Sequence, residues 1–550
     1  MFDINSISRA SSAQKIPISE KILELSRVFR IPPDNRETEG VSRINVHEVI
    51  SKLAFIYEKI RNTIDYRDEH LFRIYAILRI LKRRIFFEEK KKNHGEILLK
   101  ELIRGGYLDN DTVPETSISE VDFLVEKYLS LMNFLPDLLS KKEKRQIVSW
   151  LMILLAGEIE ENLTPNQNKK THALVNLMYS VMKERIVLMD EDLKLSEKEK
   201  DIQILIACHR VLMKADSNIL NYELFKYYYP EWPGATPSSL INEVAQNIVK
   251  IKTNIDLQIN HLAGDKFYLA LQKHTAPYLI LGDIFSEYPD QTENILSSPE
   301  SFEKSIKIAA GKRYARIQSM LKRSGRRSII YIFITKVFLA FLLEIPYDLY
   351  ITHGFYWPAL VISIGFPPIL MFAMVSSVKI QREKNTSEII RELKQLVYTA
   401  EAKIQHGKIK IYSQRSVFLR IVFGILNLGL FIISFGLIIG ILTKLNFSIF
   451  SQAIFLIFLA LISFFAVQIR KSADQILVVE RRENILGMVA GLLGFPLIQV
   501  GRWISSKFRS INIAAFIFDI FIETPLKSFI VISEQWTSYI KERREGVGKP

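Results

Sequence analysis

Three stretches of this chain contain no Asp, Glu, Lys or Arg: Gly354 to Val378, Ile421 to Thr443 and Leu445 to Ile469. An α-helix rises about 1.5 Å per residue, so each run is longer than the roughly 30 Å hydrocarbon core of a bilayer. Backbone polar groups in hydrocarbon find no water, so a run of this kind spans as a helix whose hydrogen bonds are all internal. Ser328 to Leu349 is a fourth, weaker span, carrying Lys336 and Glu344 among Ile, Phe and Leu.

The remaining chain is of another character. Over 550 residues, 48% are hydrophobic, yet 24% are charged and the net charge is +14. That combination describes a soluble half joined to an apolar half. It excludes disorder, and a single cysteine, Cys208, excludes a disulfide scaffold. The first 15 residues, MFDINSISRASSAQK, hold no apolar core of a secretory signal, so the first third is expected in the cytosol.

Basic residues set the expected orientation. Lys312, Arg313, Arg316, Lys322, Arg323, Arg326 and Arg327 precede the first span, Lys379, Arg382, Lys384 and Arg391 follow the second, and Arg470, Lys471, Arg481 and Arg482 follow the fourth. The opposite connections are nearly bare of positive charge. Cytoplasmic loops carry the Lys/Arg excess, so the amino-terminal half and the carboxyl terminus are expected in the cytoplasm, with four spans forming two hairpins. The cluster 312–327 suits anionic lipid headgroups, at roughly 1 kcal/mol per basic residue.

Residues 17–321 read as helical throughout. Val46, Val49, Ile50, Leu53, Tyr57 and Ile60 follow a 3.6-residue period. Ser117 with Glu120 and Ser196 with Glu199 have capping-box spacing, and Thr164-Pro165, Thr236-Pro237 and Ser298-Pro299 place a cap before a helix-starting proline. Gly105-Gly106, Asn110-Asp111 and the YYYPEWPGATP stretch from Tyr227 to Pro237 read as stops, the last as a domain boundary near residue 235. The expected organisation is a helical domain over 1–235, a second helical segment over 236–327, hairpins over 328–378 and 416–469 around a helical connector at 379–415, and a tail over 470–550. The fold class is all-α.

The tail is read as re-entrant or interfacial. ILGMVAGLLGFPLIQVG is uncharged but interrupted at Phe495-Pro496, and Arg502, Lys507 and Arg509 follow it, suited to headgroups rather than the outer face. A last amphipathic helix from Pro525 carries Trp536 and Tyr539 as interfacial anchors. The residues Phe495-Pro496, Gly501-Arg502-Trp503, Asp519, Glu523, Pro525 and Trp536 give this tail a pattern that resembles uncharacterised multi-pass membrane proteins of small-genome candidate-phylum bacteria. The resemblance implies a bacterial cytoplasmic membrane and supplies no activity or substrate.

Motifs for nucleotide phosphates, zinc hydrolysis, nucleophilic serine, CxxC chemistry and calcium loops are absent from the sequence. Asp109-Asn110-Asp111 and Asp190-Glu191-Asp192 read as loop and cap acids, Cys208 beside His209 as a core cysteine, and the Lys82–Lys92 basic runs as a solvated helix face rather than a nucleic-acid surface. No cofactor, metal or catalytic residue is expected. The informative residues are charges at membrane depth: Lys336, Glu344, and the pair Asp519 and Glu523, one helical turn apart. Gly429, Gly436 and Gly440 share one helix face, and Gly487 and Gly491 repeat the spacing, which argues close helix packing. The expected function is a non-enzymatic membrane scaffold or assembly factor with a protein partner, the alternative a transporter or channel subunit using the intramembrane charges.

Overall fold

The computed structural model describes residues 17–31, 42–46, 71–87, 93–136, 139–188, 195–234, 237–351, 353, 356–377, 381–398, 409–411, 417–474, 477–478 and 485–510, with a few isolated positions before 71 and after 531. The described chain is all-α. Its helices are α1 (Glu20–Arg30), α2 (Phe72–Phe87), α3 (His94–Arg104), α4 (Thr116–Asn133), α5 (Lys141–Leu163), α6 (Pro165–Arg185), α7 (Glu197–Leu212), α8 (Ser217–Tyr228), α9 (Ser238–Ile259), α10 (Gly264–Gln272), α11 (Thr275–Glu287), α12 (Thr292–Ser297), α13 (Pro299–Leu339), α14 (Trp357–Ser376), α15 (Arg382–Tyr398), α16 (Val417–Lys444), α17 (Ile449–Asp474) and α18 (Ile485–Ser510). Two three-residue strands, β1 (Ile186–Leu188) and β2 (Ile409–Ile411), pair in parallel.

Local chemistry accounts for many helix starts. Ser196 and Glu199 form the expected capping box, Ser298 accepts from the Ser301 N–H with Pro299 in the first turn, and α6 begins at Pro165. Ser117 is a correction: α4 begins one residue earlier, at Thr116, and Ser117 lies buried inside the helix. The Ser140–Glu143 capping box of α5 is an addition to the sequence reading. The periodic stretch from Val46 to Ile60 falls mostly outside the described residues.

The chain divides into two units: Met1–Arg30, Ser180–Lys194 and Leu269–Ile511 form one, and Ile31–Tyr179, Leu195–Tyr268 and Asn512–Pro550 the other. In the second unit, α2 to α5 and α7 to α9 share a continuous apolar core that includes Leu81, Leu98, Tyr128, Trp150, Phe225, Trp232 and Ile248. The boundary expected near residue 235 is therefore corrected, because residues on both sides of it build this one core. Trp232 is fully buried, and its indole N–H donates to Tyr128 Oη at 3.0 Å and to Glu158 Oε2 at 3.2 Å. Lys127 Nζ pairs with Glu158 and donates to the Trp232 carbonyl at 3.1 Å. Burial is the dominant influence on the Lys127 ammonium and holds its pKa below the ordinary lysine value despite Glu158. The turn after α8 is thus fastened into the core by a buried charge pair, whose halves cannot be left alone in a dry interior.

In the first unit, α1, α11, α12 and α15 gather around the amino-terminal half of α13. Phe29 meets Phe285 edge to face, Arg313 forks onto Asp283 at 2.6 and 2.7 Å, Lys394 reaches Glu303 at 2.5 Å, and Tyr398 Oη donates to the Leu296 carbonyl. Glu303 also takes Lys307, one turn along α13, at 2.8 Å. The connector helix α15 therefore lies back along α13. Asn385 is fully buried, donating to Tyr314 Oη at 2.9 Å and accepting from the Val478 N–H at 2.7 Å, which pins the link after α17 to the α13–α15 pair.

Five helical stretches are long and apolar enough to cross a membrane: within Pro299–Tyr350, then Trp357–Ser376, Ile421–Lys444, Ile449–Lys471 and Gly487–Lys507. This is a multi-pass membrane protein. The first is the continuation of α13, which passes through a π turn, Ala340–Glu344, into a last helical segment, Ile345–Tyr350. The fifth departs from the four-span reading. Instead of breaking at Phe495-Pro496, α18 runs through Pro496 for 26 residues. Leu497, Gly501 and Ile504, spaced i, i+4, i+7, make its buried seam, while Phe495, Arg502 and Trp503 are exposed. A Cβ on Gly501 would lie 2.1 Å from the Ala460 carbonyl oxygen, so the contact with α17 requires glycine there. Proline is tolerated in membrane helices because neighbouring helices compensate for the missing N–H.

Candidate functional site

In the first unit the two hairpins converge at one end, where the turn before α14 meets the turn between α16 and α17. Ile332, Met371, Ile454, Phe458 and Ile462 make an apolar core among α13, α14 and α17, and Ala359, Leu442, Phe447, Phe455, Leu459 and Leu497 make a second. Tyr347 stacks on Phe450, centroids 4.6 Å apart. Between these layers sit two charges. Lys336 is 0% exposed and Glu344 is 1% exposed, and their side chains form an ion pair. Ser363 of α14 donates to the second Glu344 oxygen at 3.1 Å, and the Lys336 ammonium lies 5.2 Å from the centre of the Phe458 ring on α17. Three helices thus hold one carboxylate and one ammonium.

The π turn explains how two residues eight apart on one helix meet. On a regular α-helix, eight residues turn through about 800°, leaving the two side chains about 80° apart. Here the Ile345 N–H bonds back to the Ala340 carbonyl, five residues earlier, so one residue is absorbed into a wider turn. Eight residues then cover about the rotation of seven, and the angular gap closes to about 20°. The remaining separation along the axis, about 10 to 12 Å, is within reach of an extended lysine and glutamate together.

Glu344 also faces a cavity of about 320 Å³. Its other carboxylate is Asp348, one turn further along the same helix. Tyr356 and Ser363 line it from the α14 side, and Thr443, Asn446 and Ser451 from the turn joining α16 to α17. No basic side chain lines this cavity among the described residues. A pocket of this size, with a few convergent polar groups, is of the kind that holds a small molecule.

The other residues singled out in the sequence fall elsewhere. Asp519 and Glu523 lie outside the described residues, as do Asp190, Glu191 and Asp192 and the Arg509 side chain. Of the basic cluster, Lys312 pairs with Glu287 and Arg313 with Asp283, so these two brace α13 against α11; Arg316, Lys322, Arg323, Arg326 and Arg327 are exposed. Arg502 and Lys507 are exposed on α18. A Cβ at Gly429, Gly436, Gly440, Gly487 or Gly491 would meet nothing within 4 Å, so the close approaches within this chain are made by other glycines. They occur at Gly501 and at Gly325, whose Cβ would stand 2.7 Å from Val375 Cγ1. Asp111 accepts from Asn45 at 2.9 Å in a loop contact. Cys208 is fully buried and burial pushes its thiol well up, consistent with a core position.

Sequence reasoning found Lys336 and Glu344 as isolated deep charges and missed their pairing. Ser363, Asp348 and Phe458 carried no signal beyond membership of an apolar run or a short connection. Comparison with protein-family models, curated proteins and solved structures finds no match to this chain.

Proposed function

We propose that this chain is a non-enzymatic membrane protein that handles a small solute at the Glu344 cavity, as a transporter or channel subunit, with its helical body on the cytoplasmic side of the cell membrane. One observation carries the reading: a buried ion pair, set among membrane-length helices, opens on one side to a polar cavity. A charge at membrane depth costs from about 2.5 to well over 10 kcal/mol, and apolar side chains of similar volume often stabilise a fold as well as a buried pair does. Packing alone supplies no reason for Lys336 and Glu344. A solute path does, because a carboxylate that can exchange partners gives a passing ligand a place to bind.

The scaffold reading keeps a specific observation in its favour. The helix from Pro299 to Tyr350 is 52 residues long, with its first half clasped by α11, α12 and α15 and its second half apolar, a strut that would hold a head group at the membrane. The exposed Arg316, Lys322, Arg323, Arg326 and Arg327 on it would meet anionic lipid headgroups. The two readings separate in reconstituted proteoliposomes on a solid-supported membrane, stepped in turn through pH, sodium, amines, amino acids and sugars. A transporter or channel gives a transient current for at least one class, abolished by Glu344→Gln. Silence for every class favours the scaffold.

A further inference from the structure

We propose that the Glu344 cavity binds a small organic ammonium ion, with Asp348 as its counter-charge. The inference rests on the solute-handling reading above and names the class of solute.

The charge inventory comes first. Lys336 and Glu344 neutralise one another, Asp348 contributes a further negative charge, and no basic side chain lines the cavity among the described residues. An anion would meet repulsion from Asp348. A neutral polyol could satisfy the hydroxyls of Ser363, Thr443 and Ser451 but would leave that carboxylate without compensation as water is displaced. A cation satisfies both.

Size separates the kinds of cation. A bare metal ion is held by six to eight oxygens closing to about 2.3–2.6 Å around calcium, or by a tighter octahedron around magnesium. A space of about 320 Å³ is far larger than such a cage and falls at the lower end of small-molecule pockets. Its walls also include the rings of Tyr356 and Phe447 beside the carboxylates and hydroxyls. Aromatic faces with a nearby carboxylate are the setting that favours an alkylammonium over a hydrated ion.

The chain itself contains a working example. The Lys336 side chain is a butylammonium, and it is bound by Glu344 on one side with the Phe458 ring 5.2 Å away. The cavity repeats this donor set on the other face of Glu344: a carboxylate from Asp348, hydroxyl acceptors from Ser363 and Ser451, and an aromatic wall. A primary ammonium entering there brings three N–H donors to those acceptors and competes with Lys336 for Glu344. Occupancy of the cavity is thereby coupled to the strength of the internal ion pair.

The test reads binding without transport, so it stands apart from the fate of the reading it rests on. The full chain, purified in detergent, is melted with n-butylammonium chloride, with sodium chloride at equal ionic strength, with sodium butyrate and with n-butanol. The ammonium salt is expected to raise the midpoint by about 3 °C once well above its dissociation constant, and the other three are expected to leave it unchanged. Asp348→Asn should weaken the apparent affinity at least tenfold, and Ser451→Ala several-fold. An equal rise with sodium chloride would replace the ammonium by an inorganic cation, and an equal rise with butanol would reduce the effect to apolar partitioning. Either result overturns the proposal, as does a full response in Asp348→Asn. Should Asp348→Asn fail to fold, the Ser451→Ala titration decides alone: undiminished affinity there counts against the site. A protein that binds butylammonium but passes no current in the proteoliposome assay would refute transport and leave this site standing.

Discussion

Replacing Lys336 by Met and Glu344 by Gln, singly and together, separates a buried ion pair from two charges that merely lie near each other. Lys336→Met keeps the length of the side chain and removes the ammonium, which strands Glu344 at 1% exposure with the Ser363 hydroxyl as its remaining hydrogen-bond donor among the described residues. Glu344→Gln keeps the acceptor for Ser363 and strands Lys336 against the Phe458 ring. Removing one half of a buried pair typically costs about 3–5 kcal/mol, and insertion measurements place a lone charge at membrane depth near 2.5–3.5 kcal/mol. Each single variant should therefore lose about 3 kcal/mol. The double variant leaves no charge behind, and neutral replacements of buried pairs are commonly equal to the original or more stable by up to about 4 kcal/mol. The cycle should show a coupling on the order of 5 kcal/mol, above the roughly 0.5–3 kcal/mol usual for touching residues. Thermal unfolding of the purified protein in detergent, together with the amount reaching the membrane, measures it. Additive losses in the double variant would refute the pairing.

Three further outcomes are expected elsewhere in the chain. Gly501→Val should cost at least about 1–3 kcal/mol by forcing α18 off the Ala460 carbonyl, whereas Gly491→Val, with open space around it, should stay within about 0.5 kcal/mol; equal effects would undo the α17–α18 contact. A reporter fused after Lys507 should report the same side of the membrane as one after Tyr350, because a fifth crossing lies between Lys471 and that position; opposite sides would return residues 485–510 to the interface. Acid should destabilise the second unit through His209, whose imidazole burial pushes down to about 4, with Glu223 opposing and His172 and Lys226 reinforcing the shift. The unfolded chain takes up that proton below about pH 6.5 while the folded chain resists it, so stability falls between about pH 6.5 and 4, by on the order of 3 kcal/mol in all. His209→Gln should flatten this decline, and an unchanged acid slope in hydrogen exchange of α7 would refute it.

What the sequence revealed and what it concealed have physical reasons. Uncharged runs announce membrane helices because hydrocarbon excludes charge, and the Ser196–Glu199 and Ser298–Pro299 starts were legible because capping is settled within four residues. The Lys336–Glu344 pairing was hidden because it depends on a π turn: at regular helical spacing the two side chains diverge, and nothing in AFLLE marks the wider turn. The YYYPEWPG stretch looked like a boundary because prolines end helices, yet whether the chain beyond a turn rejoins the same core is decided by tertiary contacts, here the Trp232 indole between Tyr128 and Glu158. Pro496 misled in the opposite direction, since a helix packed along Leu497, Gly501 and Ile504 continues through it. The unpacked glycines of α16 show that small-residue spacing marks a helix able to pack closely without naming the partner.

A solute path through this protein requires that Glu344 be reached from both sides of the membrane. Cys208 is the chain's single cysteine and is buried, so a Cys208→Ala background gives a clean probe. Ser363→Cys in that background places one thiol against Glu344, between the ion pair and the cavity. A membrane-impermeant maleimide is then applied to right-side-out and to inside-out vesicles, with and without Lys336→Met. The expected result is labelling from the cavity side in the parent and, once Lys336 no longer holds Glu344, increased labelling from the opposite side as well. Labelling from one side alone, unchanged by Lys336→Met, would contradict a solute path and leave a closed pocket at the end of a membrane strut.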